Sequence, residues 1–184
     1  MSARMLRLVR HAAPLIDPGT CYGTLDVRAD LAATEAAARA LAPLLPSASL
    51  VHCSPLQRCV QLADALQALR ADIRVRLDPR IAEMDFGTWE GCSWESIGQA
   101  AMDAWVADFA SHRPGGGGSV SDFMKRVSAA FEDARRSGDD ATWITHAGVI
   151  RAATLASQGR ELISRAGDWP ASAPDFGACA CLPL

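Results

Sequence analysis

The sequence contains almost no lysine. Lys125 is the single lysine among 18 lysines and arginines, so nearly every cation is a planar guanidinium suited to oxyanions. The net charge of −3 gives no overall reason to expect a nucleic acid or an anionic membrane as partner. No apolar run approaches the ~20 residues that span a bilayer, and residues 1–10 are too short and too basic for a signal peptide. We therefore expect a cytoplasmic protein.

Paired cysteines are also missing. The absence of a C-x-x-C pair argues against a zinc site, and a chain with 49% hydrophobic residues needs no disulfide framework. Two thiol hypotheses can be formed, and both are weak. Cys53 and His52 would point to opposite faces of a strand, and the Cys179-Ala-Cys181 spacing has no strong redox precedent. We expect reduced, mostly buried thiols at all six positions: Cys21, Cys53, Cys59, Cys92, Cys179 and Cys181.

Strand and helix patterns alternate along the chain. This alternation predicts an α/β fold with a doubly wound, mostly parallel sheet flanked by helices. We expect one domain over residues 1–184, with residues 93–119 as a small helical cap insertion. The predicted strands are 6–9, 50–53, 73–77, 141–145 and an edge strand within 176–182. The predicted helices are 29–45, one opened by Ser54 and Pro55, 93–110, one capped by Ser119, and 147–158. The aromatic stripe of helix 93–110 is expected to be core.

Polar residues follow three of the predicted strands. Arg10 and His11 end the first strand, Ser54 ends the second with Arg58 close behind, and His146 ends the fourth. Each residue alone could be a surface cation or a hydrogen-bonded histidine. Together they would lie at the carboxyl ends of parallel strands, where ligands of such sheets bind and where helix N-termini favour anions. An imidazole can attack phosphorus while guanidinium groups hold its oxygens, so the pattern predicts a phosphate site.

Four sequence segments in order resemble the histidine phosphatase superfamily, which includes the cofactor-dependent phosphoglycerate mutases. They are L-V-R-H at 8–11, C-S-P-L-Q-R-C at 53–59, E-M-D-F-G-T-W-E-G at 83–91 and T-H-A-G-V-I-R at 145–151. Each segment is a weak or moderate signal by itself, whereas four in the family's order are a strong one.

The resemblance implies a role for each of five residues. His11 would be the nucleophile that forms a phosphohistidine, and Glu83 would protonate the leaving alkoxide and then activate water. Arg10, Arg58 and His146 would bind the phosphoryl oxygens. No cofactor and no metal is implied, because fixed cations can neutralise the developing charge.

The acid role has three candidates on chemistry alone. Asp85 and Glu90 lie close to Glu83 in sequence, and only the resemblance favours Glu83. The acid must stay protonated near neutral pH, and Phe86 and Trp89 are predicted to provide apolar surroundings. The nucleophilic imidazole must instead be neutral, held by a hydrogen bond whose partner the sequence does not reveal.

The chain departs from the family pattern after the nucleophile. Ala12 stands where the family usually has glycine, the Thr and Asn that commonly follow are absent, and Gly115–Gly118 replace a segment that often carries a Glu. The loop 19–23 and Asp26 resemble α-ribazole-phosphatase-like members.

These features predict a metal-independent phosphomonoesterase that hydrolyses a small phosphorylated metabolite. The resemblance makes α-ribazole phosphate one candidate substrate. The alternatives are a mutase-type phosphoryl transfer, a phosphoprotein phosphatase and a phosphate-binding module without turnover.

Overall fold

The computed structural model describes residues 4–184, and five strands in this part of the chain form a single sheet. The strands are β1 (Met5–Arg10), β2 (Leu50–Cys53), β3 (Arg74–Leu77), β4 (Ala141–Thr145) and β5 (Cys179–Pro183). Their order is β3-β2-β4-β1-β5. The first four are parallel, and β5 pairs antiparallel with β1 at the edge. The predicted mostly parallel sheet and its C-terminal edge strand are confirmed.

Helices cover both faces of the sheet, which confirms the doubly wound arrangement. The helices are α1 (Leu31–Leu41), α2 (Gln57–Leu69), α3 (Trp94–Ile97), α4 (Gln99–Ala107), α5 (Val120–Ser137) and α6 (Ala147–Ser157). One core joins Val9, Val51 and Ile144 to α1 and α2, and the other joins Leu8 and Trp143 to α5 and α6. The alternation of side chains along β1 therefore feeds two cores from one strand.

Helix starts follow the capping residues in two cases. The Asp30 carboxylate accepts a hydrogen bond from the Ala33 amide (2.8 Å) at the start of α1. The Ser119 hydroxyl accepts one from the Asp122 amide (3.1 Å) at the start of α5, as the sequence predicts. Each side chain satisfies one of the amides that a first helical turn leaves unpaired.

The prediction that Ser54 and Pro55 open a helix is wrong. The helix α2 begins at Gln57 with Leu56 as its N-cap residue. The Ser54 hydroxyl lies 2.7 Å from Nε2 of His146 instead. The same hydroxyl accepts a hydrogen bond from the Leu56 amide (3.4 Å), which precedes the first residue of α2, so Ser54 belongs to the turn before the helix.

The predicted helix over 93–110 is broken in two. Gly98 separates α3 from α4 with a φ of 86°, a left-handed conformation that favours glycine. The aromatic stripe is also only partly core, because Phe109 is 6% exposed whereas Trp94 is 36% exposed.

The six cysteines differ in their exposure to solvent. Cys92, Cys179 and Cys181 are exposed, so the expectation of mostly buried thiols holds for only half of the six. The antiparallel pairing of β5 with β1 leaves the two C-terminal thiols on the uncovered side of an edge strand.

Among residues 4–184, no helix combines the length and apolar character needed to cross a membrane.

The sheet brings the ends of β1, β2 and β4 to one edge. The His11 amide donates to the Thr145 carbonyl (3.0 Å), and the Ser54 amide donates to the Ile144 carbonyl (3.0 Å). These bonds continue the parallel ladder just past the strands. The side chains that follow the three strands therefore meet at the same edge.

Candidate active site

His11 is the first residue after β1 and is buried, with 2% of its surface exposed. Its Nδ1 lies 2.7 Å from the carbonyl oxygen of Ala12. A carbonyl can only accept, so the proton is on Nδ1 and the lone pair of Nε2 is free. This arrangement supplies a neutral imidazole whose second nitrogen can act as a nucleophile.

The surroundings of His11 keep it neutral. Burial, together with the nearby Arg58 and Arg10 guanidinium groups, lowers the pKa of the imidazole to about 3, while the hydrogen bond to Ala12 works in the opposite direction. A second proton on the ring would add a positive charge beside two arginines in a buried site. The imidazole is therefore uncharged at neutral pH.

Arg58 is completely buried beneath the loop before α1. Its guanidinium donates from Nη1 to the Leu25 carbonyl (3.0 Å) and from Nη2 to the Gly23 carbonyl (2.6 Å). Its Nε is buried and has no hydrogen-bond partner in the part of the chain that the structure describes. Because both acceptors are neutral, the positive charge remains available to an anion.

Arg10 is held by the loop before β5. Its Nη1 donates to the Pro174 carbonyl (3.0 Å), and its guanidinium carbon lies 3.8 Å from the centre of the Phe176 ring. The Phe176 ring also lies 5.5 Å from the His11 ring, centre to centre. The Gly177 amide donates to the Arg10 and His11 carbonyls (3.1 and 3.0 Å), which ties this loop to the end of β1.

His146 lies at the N-cap position of α6, with its ring centre 5.2 Å from that of His11. Its Nε2 is 2.7 Å from the Ser54 hydroxyl and 3.5 Å from the Cys59 sulfur. Burial lowers the pKa of His146 well below its ordinary value, and Arg58 lowers it further. His146 is therefore a neutral hydrogen-bonding group, and the positive charge of the site comes from its arginines.

Glu83 reaches the site from the segment after β3. Its Oε2 accepts from the Gly148 amide (3.0 Å) in the first turn of α6, and its Oε1 accepts from the Met84 amide (3.1 Å). A side chain at position 148 would collide with the carboxylate. The glycine in the fourth sequence segment is thus required by the position of the Glu83 carboxylate.

His11 and Glu83 share a cavity of about 140 Å³, which we call the His11 cavity. Its lining consists of Arg10, His11, Thr20, Tyr22, Glu83, Trp94 and Ala147. Of the five predicted site residues, three line this cavity directly. Arg58 and His146 are more deeply buried and are not part of the lining, although both approach His11.

The competing carboxylates have other partners. The Glu90 carboxylate accepts hydrogen bonds from four backbone amides, those of residues 23, 24, 25 and 86, at 2.8–3.0 Å. Asp85 is exposed and accepts from the Gly87 amide (2.8 Å). In the described part of the chain, Glu83 is the one carboxylate that lines the His11 cavity.

The thiol hypotheses gain no support from the geometry. The Cys53 thiol donates to the Ser54 carbonyl (3.2 Å), and burial raises its pKa to about 12. The His52 ring is directed to Asp78 instead, with its Nδ1 3.9 Å from the carboxylate. Within residues 4–184, no three or more His, Cys, Asp or Glu side chains are grouped to hold a metal ion.

Sequence reasoning missed two kinds of contributor. The Ala12 carbonyl fixes the tautomer of His11, but a backbone group leaves no signal in the sequence. Phe176 covers Arg10 and His11 from a distant part of the chain, and its residue type alone gave no reason to place it there. Glu90 is a candidate acid on chemistry alone, whereas its hydrogen bonds to four backbone amides give it a structural role in the loop.

The chain is similar to a known family. A family model described as histidine phosphatase superfamily (branch 1) matches residues 6–166. A comparison with curated proteins gives no match.

Solved structures resemble most of the chain. A mycobacterial glucosyl-3-phosphoglycerate phosphatase in complex with VO3 is 25% identical with a TM-score of 0.80, covering 97% of this chain and 90% of that chain. The protein TTHB049 from Thermus thermophilus is 29% identical with a TM-score of 0.69, covering 96% and 92%. Mycobacterial hydrolase 1 is 26% identical with a TM-score of 0.73, covering 85% and 81%.

The role of Glu90 can be tested by Glu90→Gln. The amide keeps one acceptor oxygen but turns an NH₂ group toward backbone amides, so we expect the free energy of unfolding to fall by about 2–3 kcal/mol. Loosening of the Gly23 and Leu25 carbonyls should also displace Arg58 and raise KM for p-nitrophenyl phosphate. Urea unfolding and steady-state kinetics measure both, with Asp85→Asn as the exposed control. Loss of turnover at unchanged stability would instead make Glu90 a catalytic acid.

The lowered pKa of His11 predicts a stability that falls with acid. Between pH 6.5 and about 3 the unfolded chain binds a proton at this position and the folded protein does not, so stability declines as the pH falls through this window. From pH 7 to pH 5 the expected loss from His11 is about 2 kcal/mol. Urea unfolding at both values should show that His11→Gln loses less than the wild type by this amount. Equal losses in both proteins would contradict the burial of a neutral imidazole.

Proposed function

Because the chain belongs to the histidine phosphatase superfamily (branch 1) and is a phosphatase, we propose that it hydrolyses a small phosphomonoester through a phosphohistidine on His11. One observation supports this most directly: a buried imidazole with a free Nε2 shares a cavity with the Glu83 carboxylate. A nucleophile and a proton donor in one small cavity are the two groups that phosphoester cleavage needs.

The first step transfers the phosphoryl group to the enzyme. Arg10 at the cavity wall and Arg58 behind it attract the phosphate dianion, and their unpartnered Nε hydrogens are available donors. Nε2 of His11 attacks phosphorus while the bond to the ester oxygen breaks, and protonated Glu83 gives its proton to that oxygen. Charge is neutralised by fixed guanidinium groups, which need no reorganisation during the reaction and no metal ion.

The second step returns the enzyme to its starting form. The Glu83 carboxylate takes a proton from water as the water oxygen attacks phosphorus, and the bond between phosphorus and Nε2 breaks. Inorganic phosphate leaves, and Glu83 again carries the proton for the next cycle. The Gly148 amide at the start of α6 holds the carboxylate in both roles.

The substrate is a small phosphate ester. We assign its selection to the segment that covers the His11 cavity. We propose that residues 93–119 act as the cap of a single domain, because Trp94 at the start of α3 lines the His11 cavity. The loop 19–23 makes α-ribazole phosphate one candidate substrate, and Thr20 and Tyr22 of that loop line the cavity too. The cytoplasmic location and the absence of nucleic-acid partners stay predictions.

Replacement of the nucleophile is the primary test. We expect the wild type to hydrolyse p-nitrophenyl phosphate in EDTA and His11→Ala to lose at least ~10³-fold in kcat, since the variant lacks the imidazole that forms the proposed covalent intermediate. Circular dichroism checks the fold of the variant. Mass spectrometry of wild-type enzyme that is quenched during turnover without acid checks for one added phosphoryl group. A requirement for a divalent ion, or turnover retained in His11→Ala, would refute the mechanism. Binding of phosphate without any turnover would leave only a binding module, and transfer to an alcohol in place of water would show a mutase.

The proton donor can be tested by leaving-group dependence. Glu83→Gln should lower kcat/KM for glycerol 3-phosphate by ~10²–10⁴-fold, because an alkoxide must be protonated as it leaves. The kcat/KM for p-nitrophenyl phosphate should fall far less, because p-nitrophenolate leaves without a proton. Asp85→Asn is the control and should affect neither substrate. Equal loss for both substrates in Glu83→Gln would move the acid to another residue.

A further inference from the structure

A second cavity of about 240 Å³ opens beside the His11 cavity, and we call it the aromatic cavity. Four residues line both cavities: Tyr22, Glu83, Trp94 and Ala147. The carboxylate proposed to protonate the leaving oxygen therefore lies on the boundary between them. Whatever is attached to that oxygen extends from the His11 cavity toward the aromatic cavity.

The walls of the aromatic cavity are unusually rich in rings. Trp105 occupies the middle of a continuous row, with its ring centre 5.9 Å from that of Phe86 and 5.6 Å from that of Phe109. The spacings are those of edge-to-face and stacked aromatic pairs. Seven lining residues are aromatic: Tyr22, Phe86, Trp94, Trp105, Phe109, Phe123 and Trp169.

Two buried hydrogen-bond donors also belong to this lining. Nε1 of Trp105 and Nε of Arg151 are both buried and have no hydrogen-bond partner among residues 4–184. Arg151 lies one turn of α6 after Ala147, and its Nη2 donates to the Ala171 carbonyl (3.2 Å). Buried N–H groups are normally paired, so two unpaired ones in one cavity are available to an acceptor atom of a ligand.

We propose that the aromatic cavity binds the alcohol part of the substrate and that this alcohol carries a flat aromatic ring with a hydrogen-bond acceptor at its edge. The inference rests on the proposed function and adds the substrate class. Ring walls favour an aromatic guest through stacking and edge contacts. The His11 cavity of about 140 Å³ and the aromatic cavity of about 240 Å³ together fit a phosphate in the first joined to one ring system in the second.

A quaternary ammonium group is the other guest that ring walls attract. The position of Arg151 argues against it, because its guanidinium already contributes a positive charge to the lining. A second cation beside it would be repelled, whereas a neutral ring with an acceptor atom would be held. Phosphocholine is therefore the discriminating comparison.

Three esters with the same type of primary alkoxide separate these possibilities. We expect kcat/KM for 2-(pyridin-2-yl)ethyl phosphate to exceed that for ethyl phosphate by at least ~10-fold, as expected for burial of one ring. Phosphocholine should be no better than ethyl phosphate. Equal values for the pyridyl and ethyl esters, or a preference for phosphocholine, would overturn the inference.

Substitution of the central ring tests the same point from the protein side. Trp105→Leu should reduce the pyridyl-over-ethyl preference by ~10-fold, the gain expected from one ring contact and its burial. Trp89→Leu should keep the preference, because Trp89 contacts Trp105 from outside the lining. If thermal denaturation shows that Trp105→Leu does not fold, Trp169→Leu replaces it as the cavity variant. A preference unchanged in both cavity variants would contradict the assignment.

Binding provides a readout that does not depend on turnover. Trp94, Trp105 and Trp169 line the aromatic cavity, so the pyridyl ester should quench intrinsic fluorescence at a lower concentration than ethyl phosphate. If neither ester is hydrolysed, the proposed function fails, and the quenching still decides the cavity inference. Equal quenching concentrations for the two esters would overturn it.

Discussion

A hydrogen bond between neighbouring residues determines the chemistry of this protein. By donating its Nδ1 proton to the Ala12 carbonyl, His11 is left with one lone pair, on Nε2, in a site where two guanidinium groups and burial resist protonation. An imidazolium at this position could not attack phosphorus, and the other tautomer would direct its lone pair into the backbone. The remaining groups of the site act on a phosphate only if this nitrogen is free.

Burying the cations needed for this chemistry has a structural consequence. A guanidinium removed from water must be surrounded by acceptors, and for Arg58 these are two loop carbonyls, of Gly23 and Leu25. Glu90 holds the amides of the same loop, so its negative charge stabilises the loop that holds the positive one. Glu90 thus supports the site without lining the His11 cavity. This role accounts for the second glutamate of the E-x-x-F-G-x-W-E-G segment, whose first glutamate is the catalytic candidate Glu83.

The sequence predicts the fold and the strand ends well because both depend on local patterns. Apolar runs mark the strands, and the residues just after them, Arg10, His11 and His146, fall at the sheet edge in any parallel arrangement. Where prediction failed, a partner distant in sequence decides the local structure. The Ser54 hydroxyl lies against His146 in the turn before α2, three residues before the helix begins. The break at Gly98 follows from a backbone conformation that hydrophobic spacing does not encode. Phe176 could not be placed from sequence, since its contact with Arg10 exists only once the sheet is complete.

The contacts of Arg10 with the loop before β5 make catalysis dependent on completion of the sheet. Its guanidinium is secured by a carbonyl 164 positions away, in the loop that leads into the antiparallel edge strand. A contact between such remote segments exists only when both are docked on the sheet, and its formation carries the entropy cost of closing a long loop. A folding intermediate with the four parallel strands already in register but β5 still undocked would leave Arg10 without that partner and without the Phe176 ring. Recovery of catalysis during refolding therefore reports the docking of the last strand.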